Sequence, residues 1–159
     1  FHFFDALVAA GKVKQIGVSN FNVWDWRLLQ QHMSSKLVVN QIEMSLLNTC
    51  AFTDGTLSAL QLDSISTMAW SPLGGGQLFG DSAAAQRLAP IFDRIGEEQG
   101  VTADLMALAW LLAHPAKILL VVGTNNLERI KQVGRALTVE MDRETWFELL
   151  TAATGQEVP

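Results

Sequence analysis

Short apolar segments alternate with longer amphipathic segments along this chain, and this alternation limits its fold more than any other feature. The apolar segments predict four strands, over residues 13–19, 37–43, 66–70 and 118–122. The amphipathic segments predict helices over residues 3–10, 23–32, 54–62, 84–99, 102–113, 127–133 and 143–153. Strands and helices that alternate at this spacing form parallel β/α units. The pattern therefore predicts an α/β fold, either part of an eight-unit barrel or an open, doubly wound sheet.

Local sequence refines this pattern at three places. The fourth predicted strand contains only apolar residues, which predicts that both of its faces are covered. Thr53 or Asp54 is expected to open the third helix, although Gly55 weakens it. The run Gly74–Gly76 follows the third strand and predicts a loop, because glycine tolerates backbone conformations that other residues avoid.

The composition excludes several classes of protein. The chain has 159 residues, of which 49% are hydrophobic and 17% charged, so it can form one domain with a core and is neither disordered nor a coiled coil. A net charge of −5 argues against general nucleic-acid binding, and no apolar segment reaches the about 20 residues of a membrane-spanning helix. With one cysteine, Cys50, no metal-binding Cys/His spacing and no secretory signal, we expect a cytoplasmic protein. Because the chain starts at Phe1 rather than at Met, we expect it to be a piece of a longer protein.

Polar side chains and glycines cluster where the predicted strands end. They are Ser19 and Asn20 after the first strand, Gln41 and Glu43 in the second, Trp70 and Ser71 at the third, and Gly123, Thr124 and Asn125 after the fourth. In a parallel barrel the carboxyl ends of all strands lie on one face. We therefore expect these residues to converge on one pocket.

The chemistry of these residues suits a nucleotide with a flat ring. Asn20 and Gln41 carry amides that donate and accept hydrogen bonds, as a planar carboxamide requires, and Trp70 offers an aromatic face. The glycine loop can direct backbone N–H groups at a pyrophosphate, and the helix start after Thr124 together with Arg129 suits a phosphate. Each residue also has an ordinary structural interpretation: a turn, a core amide, a core aromatic, a flexible connection or a solvent-exposed helix face. The sequence contains no Gly-x-Gly-x-x-Gly dinucleotide motif and no Gly-x-Ser-x-Gly nucleophile elbow.

Four segments together resemble the signature motifs of the aldo-keto reductase superfamily. They are Gly11–Phe21 (GKVKQIGVSNF), Val39–Glu43 (VNQIE), Trp70–Gly76 (WSPLGGG), and Val122–Asn125 (VGTN) followed by Arg129 and Ile130. They occur in the order and at the spacing of that family, and the resemblance covers essentially the whole chain. It is nearest to bacterial oxidoreductases of the superfamily.

The resemblance implies a (β/α)8 TIM barrel that uses NADPH to reduce aldehydes and ketones. The chain would be the C-terminal half of this single barrel domain, over residues 1–159, with four parallel βα units. The implied cofactor-binding residues are Ser19, Asn20 and Gln41 at the carboxamide, Trp70 stacked on the nicotinamide, Ser71, Leu73 and Gly74 at the pyrophosphate, Gly123, Thr124, Asn125 and Arg129 at the 2′-phosphate and ribose, and Gln132 near the adenine. Gly123 and Val133 replace a Lys and an Asn that are common in the family, so NADP(H) is the implied cofactor and NAD(H) is not excluded.

The catalytic Asp, Tyr, Lys and His of the family lie on strands that precede these motifs, and this sequence contains no Tyr at all. No residue in the chain matches the general acid that carbonyl reduction needs, so we expect the isolated chain to be inactive. The implied partners are a small carbonyl substrate and the N-terminal half-barrel, with no nucleic acid and no membrane. Phe21, Trp24 and Leu78 are further candidates for the pocket border. Two alternatives stay open: a non-catalytic, nicotinamide-binding regulatory subunit of the same superfamily, and a remnant that does not fold alone.

Overall fold

A computed structural model describes residues 2–157 of the chain. One parallel sheet contains the strands β1 (Ile16–Ser19), β2 (Leu37–Glu43), β3 (Ser66–Trp70) and β4 (Leu119–Leu120), in that order across the sheet. The helices are α1 (His2–Ala9), α2 (Val23–Gln31), α3 (Thr56–Leu62), α4 (Ala83–Gln99), α5 (Ala103–Leu112), α6 (Leu127–Val133) and α7 (Arg143–Thr154), with 3-10 turns at Cys50–Phe52, Gly74–Phe79 and Gly134–Thr138. The predicted α/β fold with four parallel βα units is confirmed.

Side-chain caps fix where several helices begin. The Asn22 side chain accepts hydrogen bonds from the backbone N–H groups of Trp24 and Asp25 at 2.9 and 3.0 Å, as an N-cap residue does. Asn126 caps α6 in the same way. The expectation that Thr53 or Asp54 opens α3 was wrong by one or two residues. Gly55 is the N-cap, in a left-handed conformation with φ of 86° that glycine adopts without strain.

The two faces of the sheet are covered very differently. Asn40 and Ile42 of β2 are buried on the face that packs against the helices. On the opposite face, Gln41 pairs in register with Met68, which in turn pairs with Leu119. Gln41 and Met68 are half-buried and Leu119 is 52% exposed. The helices therefore cover one face of this sheet, and the described residues leave the other face open.

The two outer strands are shorter than the sequence predicts. The predicted strand over residues 118–122 reduces to Leu119–Leu120, and its expected burial on both faces was wrong, since Leu119 is 52% and Val122 41% exposed. β4 has one neighbouring strand in the described sheet, so its second edge lacks the pairing that would extend it. β1 starts at Ile16 instead of residue 13, because the Val13 N–H donates to the Leu7 carbonyl at the end of α1, at 3.4 Å.

A pair of tryptophans attaches the last helix to the core. The indole rings of Trp110 in α5 and Trp146 in α7 are stacked, with centroids 5.0 Å apart and an interplanar angle of 12°. The indole Nε1–H of each donates to the backbone carbonyl of the other, at 3.0 and 2.8 Å. Phe52 and His114 pack edge-on or tilted against this pair. The Trp pair therefore joins α5 and α7 by both stacking and hydrogen bonding.

A second polar junction joins α2 to the end of α3. The Asp63 carboxylate accepts hydrogen bonds from the buried Trp26 indole N–H at 2.9 Å and from Arg27 Nε and Nη2 at 2.8 and 3.1 Å. The Arg27 hydrogen bonds, followed by that of Trp26, hold the pKa of Asp63 below its usual value. Within residues 2–157, no helix has the length and apolarity needed to span a bilayer, and no group of His, Cys, Asp and Glu side chains is arranged to hold a metal ion.

Candidate functional site

A cleft of about 860 Å³ lies beyond the carboxyl ends of β3 and β4. The predicted site residues that line it are Trp70, Ser71, Leu73, Gly123, Thr124, Arg129 and Gln132. They come from three separate segments of the chain: the end of β3, the connection after β4, and α6. The structure therefore brings together the two glycine-containing segments and the basic helix that the sequence analysis selected.

The glycine run forms a tight turn at one wall of this cleft. Gly74, Gly75 and Gly76 all have left-handed backbones, with φ of 58°, 63° and 89°. Gly75 and Gly76 line the cleft, whereas Gly74 does not: a Cβ on Gly74 would lie 2.8 Å from Leu47 Cδ1, so this glycine packs against Leu47 instead. The N–H groups of Gly74 and Gly76 donate to carbonyls inside the turn, at 2.8 and 3.0 Å. Those two N–H groups are therefore already bonded and are not free to bind a pyrophosphate.

The remaining predicted residues lie beside the cleft. Ser19, Asn20 and Gln41 sit at the carboxyl ends of β1 and β2 and do not line it. The Asn20 N–H and the Ser19 hydroxyl both donate to the Gln41 carbonyl, at 2.8 and 3.1 Å. One hydrogen bond joins this group to the cleft: the Trp70 indole Nε1–H donates to Asn20 Oδ1 at 2.9 Å.

The chain after β1 is held in place by a buried amide. Asn40 of β2 is fully buried, and its Nδ2 donates to the Phe21 carbonyl at 2.7 Å, while its Oδ1 accepts from the Phe21 N–H at 3.4 Å. Because both bonds are to the backbone, Asn40 fixes the path of the chain immediately after Asn20. Asn40 thus supports the backbone of the site, a role that the sequence motifs did not indicate.

Arg129 is the cation that faces the cleft from α6. Its backbone N–H is held by the Asn126 cap at 3.2 Å, and the neighbouring Glu128 is paired with Lys131 at 2.8 Å. Among residues 2–157, Arg129 forms no ion pair. Its guanidinium is therefore available to an anion in the cleft. Asn125, in contrast, does not line the cleft.

One whole wall of the cleft was not predicted from the sequence. This wall consists of Ala103, Asp104, Leu105 and Leu108 from the first turns of α5, with Phe79 nearby. Of the three residues suggested as pocket borders, none lines the cleft: Leu78 is buried in the core and the adjacent Phe79 takes the expected place. In the sequence, the feature that could have indicated this wall was Asp104, an acidic residue in the first turn of an otherwise apolar helix. No described residue forms a hydrogen bond or ion pair with its carboxylate.

Residues 1–152 match the sequence model of the Aldo/keto reductase family. The chain belongs to this family. It is similar to a 6-dehydroglucose reductase of Agrobacterium fabrum, with 61% identity over 97% of this chain and 51% of the relative. It is also similar to the oxidoreductase YdhF of Escherichia coli, with 37% identity over 98% of this chain and 52% of the relative.

Solved structures of aldo-keto reductases share the fold of this chain. A thermostable aldo-keto reductase, Tm1743, superposes with a TM-score of 0.83 at 22% identity, over 94% of this chain and 52% of that structure. The chain spans about half the length of the relatives that it matches, and its four-stranded sheet corresponds to half of such a barrel. The aldo-keto reductase resemblance expected from the four sequence motifs is therefore confirmed.

Proposed function

We propose that this chain is the cofactor-binding, C-terminal half of an aldo-keto reductase, and that it binds NADP(H) in the cleft beyond β3 and β4. The observation that carries the proposal is the cleft itself, in which an unpaired Arg129 and the aromatic Trp70 lie on walls from different segments. Its volume of about 860 Å³ lies within the range of about 300–1,000 Å³ typical of small-molecule sites. The donors present fit a nucleotide that has a phosphate at one end and a flat ring at the other.

The roles of the residues follow from their positions. Arg129 and Thr124 hold the 2′-phosphate, because a guanidinium binds phosphate oxygens with two parallel hydrogen bonds. Trp70 contacts the nicotinamide ring, and the amides of Asn20 and Gln41 bind its carboxamide. When bound, the reduced nicotinamide supplies the hydride for reduction of a carbonyl group. Binding of NAD(H) in the same cleft is the weaker alternative, since it lacks the phosphate that Arg129 would pair.

Under this proposal, the whole protein that contains these residues reduces an aldehyde or a ketone. The relatives from Agrobacterium fabrum and Novosphingobium aromaticivorans are both named 6-dehydroglucose reductase, so an oxidised sugar is the first substrate to test. The 159-residue chain alone binds the cofactor but does not turn over, because it has no Tyr to serve as the family's general acid. Its completing partner is an N-terminal half-barrel that covers the open sheet face. Cys50, the single cysteine, has a free thiol, which suits a reduced cytoplasmic setting.

The test compares NADPH and NADH binding to the 159-residue chain and to Arg129→Gln. Loss of a charge-assisted hydrogen bond to phosphate costs about 1.5–3 kcal/mol, which weakens NADPH binding about 10- to 140-fold and leaves NADH binding unchanged. Arg135→Gln is the matched control, because this substitution removes the same charge from a residue that does not line the cleft. No binding of either nucleotide by the unsubstituted chain, or an equal loss for both in Arg129→Gln, contradicts the proposal.

The regulatory-subunit alternative makes the same binding prediction and differs in catalysis. Reconstituting the chain with an N-terminal half-barrel that carries the family's Asp, Tyr, Lys and His restores reduction of an aldehyde by NADPH if this chain comes from an enzyme. Cofactor binding without turnover in that complex favours the regulatory alternative.

A further inference from the structure

The Trp70 indole lies edge-on to the side chain that follows β1. Its Nε1–H donates to Asn20 Oδ1 at 2.9 Å, although the two residues are 50 positions apart and β2 lies between their strands. An indole N–H is a donor only, so it must face the oxygen of the Asn20 amide and not the nitrogen. The Asn20 amide therefore has one orientation, in which Oδ1 points to Trp70 and the Nδ2 hydrogens point away from it.

The backbone of Asn20 is fixed independently of that bond. Asn20 has a left-handed φ of 57°, a conformation that Asn adopts more readily than most residues, and its N–H donates to the Gln41 carbonyl at 2.8 Å. Asn40 holds the next residue, Phe21, by two hydrogen bonds. With the backbone held on both sides, rotation of the side-chain amide is the freedom that remains, and the Trp70 indole removes it.

The donor and the aromatic face of Trp70 point in different directions. The Nε1–H lies in the plane of the indole ring, so bonding it to Asn20 places Asn20 in that plane. The flat face, perpendicular to the plane, stays available to a ligand ring. Trp70 lines the cleft, and its side chain is only half-buried.

We infer that Trp70 is a positioning residue whose indole N–H orients the Asn20 amide, so that the site offers the Asn20 N–H₂ group to the carbonyl oxygen of a primary carboxamide. The inference rests on the proposed function, and it adds a second role to Trp70 besides contact with the ring. Gln41 complements this arrangement, since its side-chain amide forms no hydrogen bond within residues 2–157 and can accept from the carboxamide N–H₂. A Tyr or Phe at position 70 would keep an aromatic face but lose this in-plane donor.

The first test needs no cofactor. The indole N–H resonance of Trp70, assigned by its loss in Trp70→Phe, is expected to be shifted and protected from solvent exchange in the 159-residue chain. It is expected to move to the position of an exposed indole in Asn20→Gly, a substitution that glycine accommodates at this φ. The exposed Trp24 supplies the reference, because its indole is 74% exposed. A Trp70 resonance that matches Trp24 in the unsubstituted chain overturns the orienting role.

The second test is a double-mutant cycle on NADPH affinity with Trp70→Phe, Asn20→Gly and the double variant. Loss of ring contact weakens binding equally in both backgrounds, whereas loss of positioning acts only where Asn20 is present. We expect the Trp70→Phe effect to be about 2- to 12-fold larger with Asn20 present than in N20G. Equal effects overturn the inference, and Trp24→Phe is the control for replacement of an indole outside the cleft.

The third test asks which end of the Asn20 amide faces the ligand. Asn20→Asp keeps the shape and the bond to Trp70, but presents an oxygen where the N–H₂ group was. We expect N20D to bind NADPH more weakly than N20G, because a carboxylate oxygen of the protein then faces the carbonyl oxygen of the carboxamide. Affinity equal to that of the unsubstituted chain overturns the assigned orientation. If the unsubstituted chain does not bind NADPH, the proposed function and the carboxamide role fail together, and the indole resonance still reports whether Trp70 orients Asn20.

Discussion

Replacing Trp146 with Phe removes one hydrogen bond that closes the end of α5 and weakens the stacking of Trp146 on Trp110. The last four carbonyls of a helix have no intrahelical partner. In α5, the carbonyls of Ala109 and Leu111 accept from the N–H groups of Ala113 and His114, whereas the Trp110 carbonyl accepts from the Trp146 indole at 2.8 Å. Phenylalanine keeps an aromatic ring but has no donor, so Trp146→Phe leaves the Trp110 carbonyl buried without that bond.

The size of the effect follows from these contacts. An unsatisfied buried polar group costs about 1–3 kcal/mol, and the stacked pair contributes about 0.5–1.5 kcal/mol, part of which a phenyl ring retains. Because Trp146 is only half-buried, a cavity adds little. We therefore expect the free energy of unfolding to fall by about 2–4 kcal/mol, a large part of the about 5–15 kcal/mol typical of a domain. For a chain of this length, the midpoint of thermal unfolding falls by about 4–16 °C.

Urea denaturation of the 159-residue chain, followed by far-UV circular dichroism, measures this change. Trp24→Phe is the matched control, because the Trp24 side chain is 74% exposed and its replacement is expected to change stability by less than about 0.5 kcal/mol. If Trp146→Phe and Trp24→Phe change the midpoint equally, the assignment of the Trp146 indole as the cap of α5 is refuted.

Two further predictions concern the sheet and the Asp63 junction. Gly17→Ala is expected to destabilise the chain by about 1–3 kcal/mol in urea denaturation, because its Cβ would lie 2.3 Å from Val39 Cγ1 and 2.6 Å from the Val39 carbonyl oxygen. Gly134→Ala, with nothing within 4 Å, is the control, and equal stability of the two variants would show that β1 and β2 can separate at this point. Asp63 has a pKa below its usual value, so its stabilising contribution is present above the unfolded value of about 3.9 and is lost as the pH falls through the lower folded value. The stability difference between the unsubstituted chain and Asp63→Asn should therefore shrink in acid, and a constant difference between about pH 7 and pH 3 would contradict this role.

Local patterns were sufficient for the interior of the fold and insufficient at its edges. β2 and β3 have the predicted bounds because their apolar segments are paired on both sides. β4 is shorter than predicted, since strand length at an edge depends on a neighbouring strand that its own residues do not encode. The left-handed start of α3 at Gly55 was missed for a different reason: side-chain caps are the usual signal, and here the backbone conformation takes their place.

The candidate site shows the same division. Trp70 and Arg129 were selected because each belongs to a recognisable local segment, and both line the cleft. Asp104 was missed because it reaches the cleft only when α5 packs across the end of the sheet, a contact between segments far apart in the chain. The bond between Trp70 and Asn20 was equally invisible, since neither segment alone indicates that an indole edge meets an amide.

The uncovered sheet face places the two ends of the proposed ligand beside different parts of the molecule. Arg129 and Thr124 line a cleft that has one wall from α5, and the Arg129 side chain is exposed, while Asn20 and the half-buried Gln41 lie beside the open sheet face. Hydrogen bonds contribute less where water competes for the same groups. Under the proposed function, a half-barrel that covers the open face would therefore strengthen dinucleotide binding at the nicotinamide end by excluding water from Asn20 and Gln41. Without that half-barrel, the chain would retain a cofactor while leaving its reactive ring in solvent.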